Sequence, residues 1–221
     1  MLPTPEIPPI PESVYEPAED SFLLLDCMEL CLPELRHRKF PVVCEIGSGS
    51  GIVSTFLKVN IFSNGLFLAT DLNPRACETI LATAQANCTL RKFNTLEVLQ
   101  MSLNLGIRPS TIDVLVFNPP YVPAETVPVV PSTKDDDAWL DLALLGGEDG
   151  MEATWAVLLN LERILSPDGV AYILFCARNN PDNVVELMQK RGWATRTIEK
   201  RKAGWEVLSV TEFKKITEKS G

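Results

Sequence analysis

Asn118-Pro119-Pro120-Tyr121 is the stretch of this chain whose residue types are best placed for chemistry. It closes the apolar run Val114-Leu115-Val116-Phe117, which reads with Asp113 as a buried strand, and two prolines forbid that strand from continuing. Asn118 is left at the strand end. A residue before proline is pushed out of the α region, so the Asn118 amide has little freedom. A planar amide held there accepts through its oxygen and donates through its nitrogen. An ordinary Asn-Pro turn beside a packed tyrosine has the same residues, and the surrounding sequence separates the two readings.

A second group is Glu45-Ile46-Gly47-Ser48-Gly49-Ser50-Gly51, which follows an apolar strand from Pro41 to Ile46 and precedes Ile52, Val53, Phe56 and Leu57 at helical spacing. Strand, glycine turn and helix form a nucleotide-binding layout, in which glycines let the backbone approach a ligand. Glu45 stands where a dinucleotide would lay its pyrophosphate, and anion beside anion is unfavourable. A ligand with a positive end fits better, and S-adenosylmethionine carries an ammonium and a sulfonium. Asp71 ends the next apolar strand, Leu66 to Thr70, 24 residues after Gly47. That is near the spacing at which such folds set a carboxylate on ribose hydroxyls; a helix cap ahead of Asn73-Pro74 is the alternative. Tyr15, Asp20 and Ser21 cluster acidic and hydroxyl groups at a helix start, which suits a cationic ligand, plain packing on a sheet being the alternative.

The elements that must position these residues alternate. A helix is expected from Pro17, in its first turn, to about Leu32, where Pro33 stops it. After the Pro74–Asn87 helix, strands are expected over Thr95–Gln100 and Asp113–Phe117. A helix over Met151–Leu165 and a Ser166–Gly169 turn then lead to the strand Val170–Cys176. A helix from Pro181 to Arg191 and a terminal strand pair, Trp193–Glu199 and Trp205–Phe213, complete the series. Such alternation predicts an α/β fold with a seven-stranded, mostly parallel doubly wound sheet and one antiparallel strand near the C-terminus. The long segment Tyr121 to Gly150 directly after Asn118 is expected to act as a lid or substrate wall, helical over Ala138–Leu145. Five prolines in Met1–Pro11 predict an extended, flexible arm over residues 1–13; residues 14–213 form the single domain, and Lys214–Gly221 a frayed tail.

A net charge of −9 argues against a surface that neutralises nucleic-acid phosphates. Six cysteines without a CxxC pair, and one histidine, His37, make neither a zinc site nor a disulfide framework, so no metal is expected. Reduced thiols, no basic-then-apolar leader and no apolar run of membrane-spanning length point to a soluble protein of the cytoplasm or nucleus.

Tyr15-Glu16-Pro17-Ala18-Glu19-Asp20-Ser21, Glu45 to Gly51, Asp71-Leu72-Asn73-Pro74 and Phe117 to Val122 occur in the order of the HemK-like class I protein glutamine methyltransferases. The chain resembles their eukaryotic release-factor branch from about Val14 to Phe213. The resemblance implies S-adenosyl-L-methionine as cofactor, on a bed drawn from Tyr15, Asp20, Ser21, Glu45, Gly47 and Gly49. Gly51, Asp71, Leu72, Ser102, Leu103 and Asn118 complete that bed. It implies an acceptor glutamine in the Gly-Gly-Gln tip of the class I translation termination factor, presented with or without its GTPase partner. Asn118 oxygen and the Pro119 carbonyl would bind the two amide hydrogens, beside Pro120, with Tyr121 stacked on the amide plane. It also implies a heterodimer with a small zinc-binding activator, joined along the third strand, whose place at a sheet edge would leave Leu96, Val98 and Leu103 poorly covered. One residue departs from the pattern: Ser102 replaces the usual acid that accepts from the adenine amino group, which weakens that bond.

Two other readings share these features. Asn-Pro-Pro-aromatic tips also occur in DNA or RNA adenine N6-methyltransferases, which the acidic charge and the lack of a recognition domain disfavour. A catalytically silent cofactor-binding scaffold fits Ser102 but not an intact Asn118 to Tyr121.

Overall fold

The computed structural model describes residues 1–62, 64–88 and 95–216. Its core is one seven-stranded sheet: β1 (Val42–Ile46), β2 (Leu66–Asp71), β3 (Leu96–Gln100), β4 (Ile112–Phe117), β5 (Leu165–Cys176), β6 (Trp193–Ala203) and β7 (Glu206–Lys215). The spatial order is β3-β2-β1-β4-β5-β7-β6. Neighbours pair in parallel except for β7, which is antiparallel to both β5 and β6. The expected sheet is therefore present, with β3 at one edge.

The central strands read as unbroken apolar runs because both of their faces are covered. Val114 and Val116 of β4, with Tyr172 and Leu174 of β5, pack under α1 (Glu19–Leu30), α3 (Ile52–Phe56) and α4 (Pro74–Asn87). Leu115, Phe117, Ile173 and Phe175 alternate onto the opposite face, under α6 (Glu152–Leu158), α7 (Leu161–Ile164) and α8 (Pro181–Lys190). A short α2 (Leu32–Leu35) and α5 (Ala138–Leu144) complete the α-helices among the described residues, and a π-helical segment, Leu57–Ile61, continues α3.

Several expectations are corrected. Pro17 lies outside α1, whose N-cap is Ala18, and Pro33 stands in the first turn of α2, where a missing N–H costs nothing. The Met151–Leu165 helix is two helices separated at Leu159-Asn160, and the Ser166–Gly169 turn is an irregular start to β5, where the register with β4 shifts. The proline-rich arm forms no helix or strand, but it is tied down. The Leu2 amide donates to Glu29, Asn60 donates to the Pro3 carbonyl, and Asn87 both accepts from Glu6 N–H and donates to its carbonyl. Composition forbids the arm regular structure, yet its polar backbone finds side-chain partners on three helical segments. Lys214 and Lys215 are paired within β7 rather than frayed; residues 217–221 lie outside the described ones. At the β3 edge Leu96 is buried, while Val98 and Leu103 are half-buried and Leu105 is 69% exposed.

Candidate active site

In an open parallel sheet, ligands bind beyond the carboxyl ends of the strands where the order reverses, here between β1 and β4. A cavity of about 460 Å³ lies there, within the range of small-molecule sites. Tyr15, Asp20, Ser21, Glu45, Gly47, Gly49, Asp71, Leu72, Ser102, Leu103, Asn118, Pro119, Pro120 and Tyr121 all line it. Gly51 does not. It adopts φ 76° at the N-cap of α3, and a Cβ there would come within 2.9 Å of the Ile80 backbone, so this glycine serves helix packing.

Gly49 behaves as a ligand-facing glycine should, since a Cβ built on it meets no protein atom within 4 Å. Its N–H donates to Asp71 Oδ2 at 2.9 Å, while Asp71 Oδ1 accepts from Asn73 N–H at 2.9 Å. The cap of α4 is Asn73, which accepts from Arg75 N–H; Asp71 is therefore not the cap. Burial pushes the Asp71 carboxyl up, against the pull of these backbone donors. Glu45, 4% exposed, accepts from both the Ser54 amide and hydroxyl, and burial pushes its carboxyl up to about 8. Asp20, Glu45, Asp71 and Glu152 line the cavity; no lysine or arginine does among the described residues.

Asp20 organises the Asn118–Tyr121 tip. Its Oδ1 accepts from Ser21 N–H at 2.6 Å, and its Oδ2 accepts from the Tyr15 hydroxyl and from Asn118 Nδ2, both at 3.0 Å. With its nitrogen committed, the Asn118 amide turns Oδ1 the other way, and that oxygen is buried without a hydrogen-bond partner. Burying an unpaired acceptor costs about 1–3 kcal/mol, so a ligand N–H is the group that would relieve it.

The backbone of the tip is clamped by residues that sequence reasoning did not single out for this. Asn179, 4% exposed in the turn after β5, accepts from Cys176 N–H and donates to the carbonyls of Tyr121 and Asp149. Gly146 approaches the Pro120 carbonyl, and Gly150 the Tyr121 carbonyl, more closely than any Cβ would allow. The Tyr121 hydroxyl donates to Glu206 Oε2 at 3.2 Å. Burial, with Asp20 next in importance, pushes the phenols of both Tyr15 and Tyr121 up and keeps them protonated donors. The Gly146-Gly147 and Gly150 cluster was a visible signal of close backbone approach, whereas nothing in sequence pairs Asn179 or Glu206 with Tyr121. The segment between Tyr121 and Gly150 forms a wall: Val127, Val130, Trp139 and Leu142 face the cavity, and Arg75 Nε holds Asp135 at 2.7 Å.

No protein-family model matches the chain. Its fold is similar to that of the E. cuniculi Mtq2 in complex with Trm112, described as responsible for methylation of the eRF1 translation termination factor. The TM-score is 0.67 at 26% identity, over 92% of this chain and 99% of that one. Fold and site together define a methyltransferase of the class I architecture. In sequence the chain is 40% identical over 213 residues to the eRF1 methyltransferase catalytic subunit mtq2 of Schizosaccharomyces pombe, covering 93% of this chain and 90% of that one. It is 38% identical over 205 residues to the human methyltransferase HEMK2, covering 91% and 90%. The chain belongs to this family of eRF1 methyltransferases.

Proposed function

We propose that this chain is the catalytic subunit of a protein glutamine methyltransferase acting on the Gly-Gly-Gln glutamine of the class I translation termination factor. The observation that carries the reading is the amide of the cavity-lining Asn118, its nitrogen held by Asp20 and its oxygen buried without a partner. S-adenosylmethionine, when bound, supplies an electrophilic methyl group. The residues present fit it: Asp71 offers carboxylate lone pairs to ribose hydroxyls, Ser102 a hydroxyl to the adenine edge, and Asp20 negative charge to its cationic end, beside the protonated carboxyl of Glu45.

An amide nitrogen is a weak nucleophile because its lone pair is delocalised into the carbonyl, so the chain's own residues must orient it. Asn118 Oδ1 and the Pro119 carbonyl accept the two amide hydrogens, and the Tyr121 ring, fixed by Glu206 and Asn179, stacks on the amide plane. Positioning of this kind is worth on the order of 7 kcal/mol. The nitrogen gains the methyl group and releases one hydrogen as a proton.

A small zinc-binding activator, by the family resemblance, pairs with the β3 edge, where unpaired backbone groups and the exposed Leu105 invite another chain. The partner seen in the E. cuniculi complex supports this reading. A cytoplasmic or nuclear location goes with it. The test is labelled methyl transfer to the termination factor with and without the activator, using a glutamine-substituted factor as control. Transfer that survives the glutamine substitution would reject the assignment.

A further inference from the structure

The β6–β7 hairpin ends in a two-residue turn, Gly204-Trp205, between the paired residues Ala203 and Glu206. Gly204 takes the left-handed conformation, φ 58°, that such a turn requires. Nothing in the turn asks for tryptophan at the next position, yet Trp205 stands there 98% exposed. It immediately precedes Glu206, whose carboxylate accepts the hydrogen bond from the Tyr121 hydroxyl. The hairpin is fixed to α1 by the Arg201–Asp26 ion pair at 2.7 Å. One turn up α1 from Asp26 lies Phe22, 39% exposed, which borders a hollow whose lining shares Val14, Tyr15 and Leu144 with the catalytic cavity.

A glutamine amide reaches only about 5 Å from its own backbone. An acceptor held on Asn118 must therefore lay its main chain across this rim, with the rest of its surface resting outside. We propose that Trp205, at the tip of the hairpin that Arg201 ties to α1, is the docking contact for the body of the acceptor protein, an inference that rests on the amide-acceptor reading above. Tryptophan suits the role because it offers large contact area for two rotatable bonds, and it dominates many interfaces. β6 lies at the sheet edge opposite β3, so this surface is separate from the one proposed for the activator.

The experiment uses the activator-bound heterodimer. Trp205→Ala should raise KM for the termination factor on the order of tenfold while kcat, cofactor affinity and activator retention hold. In an Asn118→Ala background the same change should weaken binding of the factor by a similar factor, and Trp205→Phe should restore most of it. Unchanged KM and binding overturn the proposal. So does an equal loss of kcat on the whole factor and on a short Gly-Gly-Gln peptide, since Trp205 would then act through Tyr121 rather than by docking. A wild-type complex inert toward the factor sinks the substrate reading and the docking surface with it; an active wild type beside an indifferent Trp205→Ala sinks the docking surface alone.

Discussion

Asn118 Nδ2 donates to Asp20 Oδ2 at 3.0 Å across 98 residues of sequence, and that bond decides which way the Asn118 amide faces. The hydrogen-bonding nitrogen points at a buried carboxylate, so the oxygen of this cavity-lining residue is the atom left buried and unpaired. An amide able to rotate would present a donor half of the time and repel an acceptor N–H.

Replacing Asn118 by alanine should remove methyl transfer by at least about a thousandfold, the scale at which loss of a positioned hydrogen-bond acceptor is felt. Thermal stability and most cofactor affinity should remain. Single-turnover assays with calorimetry on the same complex check this, and retained turnover would show that Asn118 is not the acceptor of the amide hydrogens.

Asp20→Ala should lower kcat by about ten- to a hundredfold through the freed Asn118 side chain, with a smaller change in KM for the acceptor. Asp20→Asn keeps an oxygen able to accept from Asn118 and should recover part of the loss. If the two variants behave alike, the charge of Asp20 matters rather than its hold on Asn118.

Glu45 makes a pH prediction whose sign follows from burial. Its carboxyl titrates near 8 in the folded chain, raised by desolvation, while in the unfolded chain it titrates at the ordinary value of 4.5. The folded state therefore keeps a proton that the unfolded state loses. The stability this proton contributes is full below about pH 4.5 and is lost as pH rises through 8, by an amount on the order of a few kcal/mol. Glu45→Gln should gain stability relative to wild type between pH 5 and 8.5. Paired thermal melts across that range measure the difference, and parallel curves would refute the assignment.

Ser102 stands exposed at the cavity, at the end of β3, with a neutral hydroxyl. Ser102→Asp should tighten S-adenosylmethionine binding about tenfold, because charged acceptors make the stronger bond. Titration calorimetry giving equal or poorer affinity would reject the role.

Gly146→Ala should destabilise the fold by about 2 kcal/mol or more, because the added methyl would collide with the Pro120 carbonyl and the Gly150 backbone. Neither neighbour is a side chain that can swing away. Denaturant melts test the stability, and because the same collision displaces the catalytic tip, kcat should fall as well.

The alternation of apolar runs with helical spacing determined the sheet, and Gly47, Gly49, Asp71 and the Asn118 to Tyr121 tip announced the site, because local chemistry fixes what a strand end can present. Other features were not local. Whether Asp20 meets the ligand or holds Asn118, that Gly51 packs on Ile80 rather than facing the cavity, and that Asn179 and Glu206 lock Tyr121 all depend on strands and helices meeting far along the chain. The proline-rich arm shows the same division. Its prolines ruled out helix and strand, but only the assembled surface of α1, α4 and the π-helical segment Leu57–Ile61 that bears Asn60 could supply the partners that pin it, because a backbone polar group pairs with whatever tertiary packing brings within reach.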